Sequence, residues 1–182
     1  MIVPTKKQRF QTNVLPHLNS AFNLACWLTR SRQDAEDVVQ EAYLRAFKFF
    51  DGFHGDDSRA WLLTIVRNTF YTWYQEQQKQ RQETAFDEGL HDFSAVDVAG
   101  MAFADNNPET LLMQKDSERQ LQQALHALPL EFREVMVMRE LEELSYKQIA
   151  AIVGIPIGTV MSRLGRGRKL LAAILAPARQ EA

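Results

Sequence analysis

Apolar residues recur three and four positions apart along two long stretches of this chain, and this spacing constrains the fold more than any other feature. The spacing places apolar side chains on one face of a helix, whereas a half-buried strand would need alternation at every second residue. Neither stretch contains a convincing alternating run or an internal repeat. We therefore expect an all-α fold with two small helical domains.

The N-terminal stretch predicts three helices. Ser31 can cap the second helix, and Asp51-Gly52 ends it before a loop at residues 55–58. The single cysteine, Cys26, is expected to be a small buried side chain. The apolar face of the first helix comprises Leu15, Leu18, Phe22, Ala25 and Leu28. That of the third comprises Trp61, Leu62, Ile65, Val66, Thr69 and Trp73, with both tryptophans expected in the core.

The segment between the two stretches is acidic and lacks periodicity. Residues 81–117 contain two basic and eight acidic side chains. Such a composition is typical of a flexible linker. We assign the first helical domain to residues 10–80, the flexible acidic linker to residues 81–108 and the second helical domain to residues 109–175.

The second domain contains a segment typical of a helix-turn-helix. In residues 144–171, LSYKQIAAIVGIPIGTVMSRLGRGRKLL, Ser145 can cap one short helix and Gly154 can end it in left-handed backbone. The following helix is basic, and no acidic residue occurs between Glu143 and Glu181. In DNA-binding proteins of this kind the second helix enters the major groove. We expect Val160 and Leu164 to point inward, and Ser162, Arg163 and Arg166 to point outward.

The residues that usually carry catalysis do not form a recognisable pattern. The four histidines are scattered without a pairing that could hold a metal, and no phosphate-binding or nucleophile motif occurs. We therefore expect no enzyme activity, no metal and no cofactor. No apolar run approaches the ~18 residues that cross a bilayer, and the basic N-terminus lacks the apolar core of a secretory signal. A cytoplasmic protein without membrane insertion is expected.

Three segments resemble a known family. Residues 128–171 strongly resemble the C-terminal, promoter-binding domain of bacterial sigma factors of the extracytoplasmic-function group. Residues 34–53 and 61–74 resemble that family's first conserved domain, in the expected order. The resemblance implies an alternative sigma factor that binds core RNA polymerase and promoter DNA and is held inactive by an anti-sigma factor.

The resemblance also implies three sets of site residues. The helix that docks on the clamp helices of core polymerase presents Asp34, Asp37, Gln40 and Glu41. The downstream −10 element, read as a melted strand, would contact Phe53, His54, Asp56, Arg67, Asn68 and Tyr71. The upstream −35 element, read as duplex, would contact Lys147, Thr159, Ser162, Arg163, Arg166 and Lys169.

Two departures from the family pattern lie in the second helix of the helix-turn-helix. Met161 occupies a position that is often basic in the family, so one polar contact is expected to be absent. Gly165 and Gly167 interrupt the helix at about 1 kcal/mol each relative to alanine. Fraying of the helix end and close approach to DNA are both compatible with these glycines.

Two other functions are compatible with parts of the sequence. An ordinary helix-turn-helix regulator of duplex DNA would explain the C-terminal segment but leave the N-terminal resemblance unexplained. A sigma-like decoy that titrates an anti-sigma factor would not need the basic recognition helix that this chain keeps.

Overall fold

The computed structural model describes residues 3–84 and 108–176, with the backbone alone for Thr84 and for residues 108–114. No strand occurs in these residues, so the expected all-α class is confirmed. Within the described ranges the chain forms eight α-helices, which are Lys6–Asn13 (α1), Leu18–Thr29 (α2), Arg32–Phe49 (α3), Ser58–Thr84 (α4), Pro108–Ala127 (α5), Leu130–Met136 (α6), Tyr146–Val153 (α7) and Ile157–Leu175 (α8).

The first helix, α1, was not expected from the apolar spacing. Thr5 and Gln8 form a reciprocal capping box, in which the Gln8 N–H donates to Thr5 Oγ1 at 3.3 Å and the Thr5 N–H donates to Gln8 Oε1 at 2.8 Å. Phe10 then anchors the helix by edge-to-face contacts with Phe47 and Phe50. The Thr-x-x-Gln pattern is the signal in the sequence that identifies this helix.

The predicted apolar face of the helix at residues 15–28 is only partly correct. Leu15 lies in a short 3-10 turn and Leu18 at the start of α2, and both are more than 40% exposed. The buried side of α2 instead includes Ala21 and Leu24, because Pro16 interrupts the regular spacing before the helix begins. Cys26 is buried as expected, and burial raises the pKa of its thiol.

Helix α3 follows its expected boundaries at both ends, beginning after Ser31 and ending at Phe49, just before Asp51-Gly52. Ser31 caps α3 by accepting the Asp34 N–H at 3.3 Å. Helix α4 continues through Thr84, past the expected domain end at residue 80. Residues 85–107, which make up most of the predicted flexible linker, lie outside the described residues.

The C-terminal domain is built on α5 to α8. Pro129 precedes α6, whose C-terminal end continues as a π turn over Val137–Leu141. Gly154 ends α7 with φ of 75°, in the left-handed region that glycine tolerates. Helices α7 and α8 meet at 101°, as in a helix-turn-helix. In the described parts of the chain, no single helix is long and apolar enough to cross a membrane.

The two domains pack directly against each other. Buried apolar residues from both sides form one contiguous cluster. At its edge the indole of Trp27, on α2, stacks on the imidazole of His126, on α5, with ring centroids 4.8 Å apart. The sequence pattern predicted the two domains but not this interface, which positions the candidate site.

Candidate nucleic-acid interface and the contacts that cover it

The helix-turn-helix is fixed by local hydrogen bonds and by apolar contacts beneath it. Ser145 and Gln148 form a capping box at the start of α7. Val160 and Leu164 on α8 are fully buried, as expected. Helix α8 is therefore held rigidly with one face toward solvent.

The solvent face of α8 carries three of the six predicted −35 residues. Ser162, Arg166 and Lys169 are exposed and follow the four- and three-residue spacing of one helix face, while Thr159 at its start is half-buried. Lys147 is exposed on the preceding helix. This arrangement presents hydroxyl, guanidinium and ammonium donors side by side, a set suited to phosphate oxygens and guanine edges.

Arg163 does not point outward as expected. Its side chain is only 23% exposed, and its guanidinium nitrogens lie 3.7 Å from carboxylate oxygens of both Glu131 and Glu134. Its position on α8 directs it toward α6 and not toward the face that carries Arg166. That Arg163 contacts the −35 element stays a prediction.

The two glycines of α8 have different surroundings. A Cβ at Gly167 would lie 3.0 Å from Cγ and 3.3 Å from Sδ of Met136, so this glycine allows α8 to approach α6. A Cβ at Gly165 would meet nothing within 4 Å. Helix packing therefore accounts for Gly167, and nothing in the structure explains Gly165.

The loop between α3 and α4 carries the first half of the predicted −10 residues. Phe53 packs against Trp61 with centroids 4.8 Å apart, whereas His54 and Asp56 are exposed. The neighbouring Asp57 accepts the Ala60 N–H at 2.9 Å and so caps α4. The loop thus has a fixed aromatic base and an exposed polar rim.

The second half of the −10 set lies on α4, and two of its members contact the other domain. Arg67 makes two hydrogen bonds to Glu134, with nitrogen–oxygen distances of 2.8 and 3.1 Å. The Tyr71 hydroxyl donates to the same carboxylate at 3.2 Å. Burial, with the charge of Glu134, raises the pKa of Tyr71 to about 12, so its hydroxyl stays protonated and donates. Asn68, by contrast, is exposed.

Glu134 was not singled out by the sequence pattern. It is fully buried on α6, and it lies between Arg133 and the apolar run that begins at Val135. A charged residue buried in this way needs partners of opposite charge, which here come from both domains. The signal in the sequence is only that two charged residues directly precede a buried run.

A second buried carboxylate makes a parallel contact. Glu142, 6% exposed, accepts a hydrogen bond from Arg59 of α4 at 2.6 Å, and Arg59 also donates to the Glu142 carbonyl at 2.8 Å. Gln148, at the start of the helix-turn-helix, donates to Asp57 in the −10 loop at 2.7 Å. The interface therefore links the two predicted DNA-reading regions at several points.

The predicted polymerase-binding residues lie on one side of α3. Asp37, Gln40 and Glu41 are exposed, and Asp34 is half-buried in the first turn. In the next turn of α3, Leu44 is 68% exposed. Acidic and amide groups beside an exposed leucine form a surface suited to a basic protein partner.

An apolar groove of about 360 Å³ lies on the C-terminal domain, between α5, the end of α6, the π turn and α8. Its lining comprises Leu121, Leu125, Met136, Val137, Glu140, Leu141, Arg168 and Leu171. In the described ranges, no group of three or more histidine, cysteine or acidic side chains is placed to hold a metal ion.

Comparison with known proteins assigns both domains. Residues 14–80 match the family model of Sigma-70 region 2, and residues 118–171 match that of Sigma-70, region 4. The ECF RNA polymerase sigma-E factor of Escherichia coli is 33% identical over 139 residues, which are 76% of this chain and 72% of that protein. This chain belongs to the extracytoplasmic-function sigma factors of the sigma-70 family. Its members are transcription-initiation factors, and the expected family is confirmed.

Other relatives agree with this membership. The ECF RNA polymerase sigma factor SigE of Mycolicibacterium smegmatis is 34% identical over 163 residues, and the chain covers 60% of that protein's length. The sigma-H factor of Pseudomonas aeruginosa is 28% identical over 184 residues, which are 97% of this chain and 91% of that protein.

Two solved structures have the same fold. The sigma factor RpoE of Bartonella quintana, in complex with the anti-sigma factor NepR, superposes with a TM-score of 0.73 at 29% identity, covering 92% of this chain and 97% of that one. CnrH, in complex with the cytosolic domain of CnrY, superposes with a TM-score of 0.63 at 23% identity, covering 94% of this chain and 90% of that one.

Proposed function

We propose that this chain is an alternative sigma factor that binds core RNA polymerase and directs it to a limited set of promoters. The chain itself catalyses no reaction, and the polymerase performs nucleotide transfer in the cytoplasm. The observation that best supports the proposal is the exposed donor face of α8, with Ser162, Arg166 and Lys169 in one row on a helix-turn-helix.

Each domain has a separate part in promoter recognition. Helix α8 reads the −35 element as duplex, with Arg166 as the base-reading side chain and Lys147 and Lys169 as phosphate contacts. The loop from Phe53 to Asp56 and the exposed side of α4 bind bases of the melted −10 strand. Binding of unpaired bases supplies free energy for promoter opening.

The protein partners use other surfaces. The α3 side that carries Asp37, Gln40 and Glu41 docks on a basic surface of core polymerase. The related RpoE was solved with an anti-sigma factor, and we propose that this chain is likewise controlled by one. The exposed Leu44 and the apolar groove of the C-terminal domain are surfaces that such a protein can cover.

In-vitro transcription with core polymerase, this protein and a fragmented genomic library tests the proposal. We expect new start sites whose upstream sequences share two spaced motifs. An Arg166→Ala variant should lose the sites that depend most on the upstream motif. Robust duplex binding without polymerase, and no initiation with it, would instead indicate an ordinary regulator. Core binding without initiation would favour the decoy.

A further inference from the structure

Two exposed apolar side chains lie on the helix that presents the −35 donors. Ile157 and Met161, in the first two turns of α8, are 46% and 54% exposed. They are four residues apart, so they are neighbours on one side of the helix. Single apolar side chains are ordinary at a protein surface. A neighbouring pair at the end of the helix that enters the major groove requires an apolar group on the DNA, because those positions meet base edges.

The solvent face of α8 has an apolar edge and a polar edge. Met161 and Arg166 are five residues apart, which places them about 140° apart around the helix axis. Ser162 lies between them, and Ile157 lies beyond Met161 on the apolar edge. A base pair that meets the polar edge is offered the guanidinium of Arg166. A base pair that meets the apolar edge is offered only carbon and sulfur atoms.

Glycines beside the apolar edge leave it open to DNA. Gly158 directly follows Ile157, and Gly165 lies one turn after Met161. A Cβ at either glycine would meet nothing within 4 Å, so the space beside the two apolar side chains is free. Helix α8 carries no acidic residue that would repel phosphate. The unbranched side chain of Met161 adapts to an irregular surface, which suits it to the floor of a groove.

The major groove presents one methyl group among its base edges, the C5-methyl of thymine. The other groups that distinguish the bases there are hydrogen-bond donors and acceptors. An apolar side chain placed against a donor or acceptor leaves that polar atom without water or a partner, which weakens binding. Placed against a methyl group, the same side chain removes apolar surface from water on both sides of the contact, which strengthens binding. An apolar edge on α8 therefore favours thymine.

We propose that Met161 and Ile157 recognise thymine in the −35 element through its C5-methyl group. This inference rests on the proposed function, since it takes α8 as the helix that reads the −35 duplex. The apolar edge and Arg166 contact different base pairs, because they lie on opposite edges of the same helix face. Specificity at the −35 element then has two separate sources, a methyl contact and the hydrogen bonds of a guanidinium.

Replacing thymine by deoxyuridine tests the contact, because uracil keeps every hydrogen-bonding group of thymine and lacks only the methyl. The holoenzyme, core polymerase with this protein, is bound to a promoter recovered by the in-vitro transcription experiment. Each thymine of the upstream motif, on either strand, is replaced in turn, and fluorescence anisotropy measures the dissociation constants. Met161→Ala is compared with Leu170→Ala. Leu170 is also an exposed apolar residue of α8, at 39%, but it lies about 180° from Met161 around the helix.

We expect at least one thymine at which deoxyuridine weakens wild-type binding by about fourfold, the factor for one buried methyl group. Met161→Ala should bind the thymine duplex more weakly and discriminate thymine from uracil at that position by less than about twofold. Ile157→Ala should reduce the discrimination in the same direction. Leu170→Ala should keep it within about twofold of the wild type. Arg166→Ala should bind both duplexes more weakly and keep the ratio between them, because its contact is separate.

Three results would overturn the methyl contact. The proposal is wrong if the wild type is insensitive to the methyl group at every position of the upstream motif, if Met161→Ala keeps the full discrimination, or if Leu170→Ala loses it equally. Failure of the proposed function is a separate result, because it would leave the wild type unable to initiate transcription with polymerase. A wild type that initiates normally, and binds thymine and deoxyuridine duplexes equally, rejects the methyl contact alone.

Discussion

Replacing the two glycines of α8 by alanine, one at a time, measures how closely this helix packs on α6. Both are helical and two residues apart, so each Gly→Ala change gains about 1 kcal/mol of helix propensity. At Gly165 nothing opposes that gain, since an added Cβ meets no atom within 4 Å. At Gly167 the Cβ would lie 3.0 Å from Met136 Cγ, and Met136 is only 3% exposed.

The packing contribution follows from the difference between the two variants. Overpacking a filled site costs about 1–3 kcal/mol. We therefore expect Gly165→Ala to raise the free energy of unfolding by about 1 kcal/mol. The free energy of unfolding of Gly167→Ala should be about 1–3 kcal/mol lower than that of Gly165→Ala. A change of 1 kcal/mol corresponds to about 4–8 °C in the melting temperature of a domain of this size. Urea unfolding followed by far-ultraviolet circular dichroism measures both free energies.

A double-mutant cycle identifies the side chain that an added Cβ at position 167 would contact. Met136→Ala removes the side-chain atoms that a Cβ at position 167 would meet, so the two changes together should cost at least about 1 kcal/mol less than the sum of their separate costs. Equal stabilisation by Gly165→Ala and Gly167→Ala would refute the close approach of α8 to α6. Additive costs in the cycle would refute Met136 as the limiting contact.

Three further predictions concern binding and pH. Arg166→Ala should weaken binding to the upstream duplex by about 1–3 kcal/mol if Arg166 reads a base, and unchanged promoter binding would remove it from the contact set. Replacing Asp37 and Gln40 by alanine should reduce association with core polymerase while leaving the circular dichroism spectrum intact, and normal association would reject the docking surface. Burial, together with two nearby arginines, lowers the pKa of His126 to about 4 from its ordinary 6.5. Because the unfolded chain then binds the proton more readily, stability should fall as the pH drops from about 6.5 toward 4. Urea titrations at pH 7 and pH 5 measure this pH dependence of the free energy of unfolding, which His126→Gln should reduce. An unchanged pH dependence in this variant would show that other groups cause it.

The sequence predicts those parts of the molecule that depend on neighbours along the chain. Ser31, Ser145 and Gly154 act as predicted, because a helix cap needs only residues within about four positions of it. The same applies to the buried positions Val160 and Leu164, which follow from helical spacing. These local features predicted the helix-turn-helix, whereas the family was identified from the resemblance of residues 34–53, 61–74 and 128–171.

Contacts between distant residues were not predictable in the same way. Arg67 and Glu134 are separated by 67 positions, and neither has a local pattern that indicates its partner. The family resemblance implies that Arg67 and Tyr71 face DNA, but it gives no indication of their contacts with Glu134 of the other domain. Helical spacing, with Val160 and Leu164 inward, predicts that Arg163 points outward, but its guanidinium lies against α6.

The π turn after α6 determines the relative directions of the Glu134 and Glu142 carboxylates. Eight residues separate Glu134 from Glu142, and in a regular α-helix they would turn through about 800°, which leaves the two carboxylates about 80° apart. The bond from the Glu142 N–H to the Val137 carbonyl, 3.1 Å long, takes up one extra residue. The rotation is then nearer to that of seven residues, within about 20° of two full turns. One inserted residue thus brings both acids onto the side that faces α4, and a single deletion within residues 137–141 would turn one of them away.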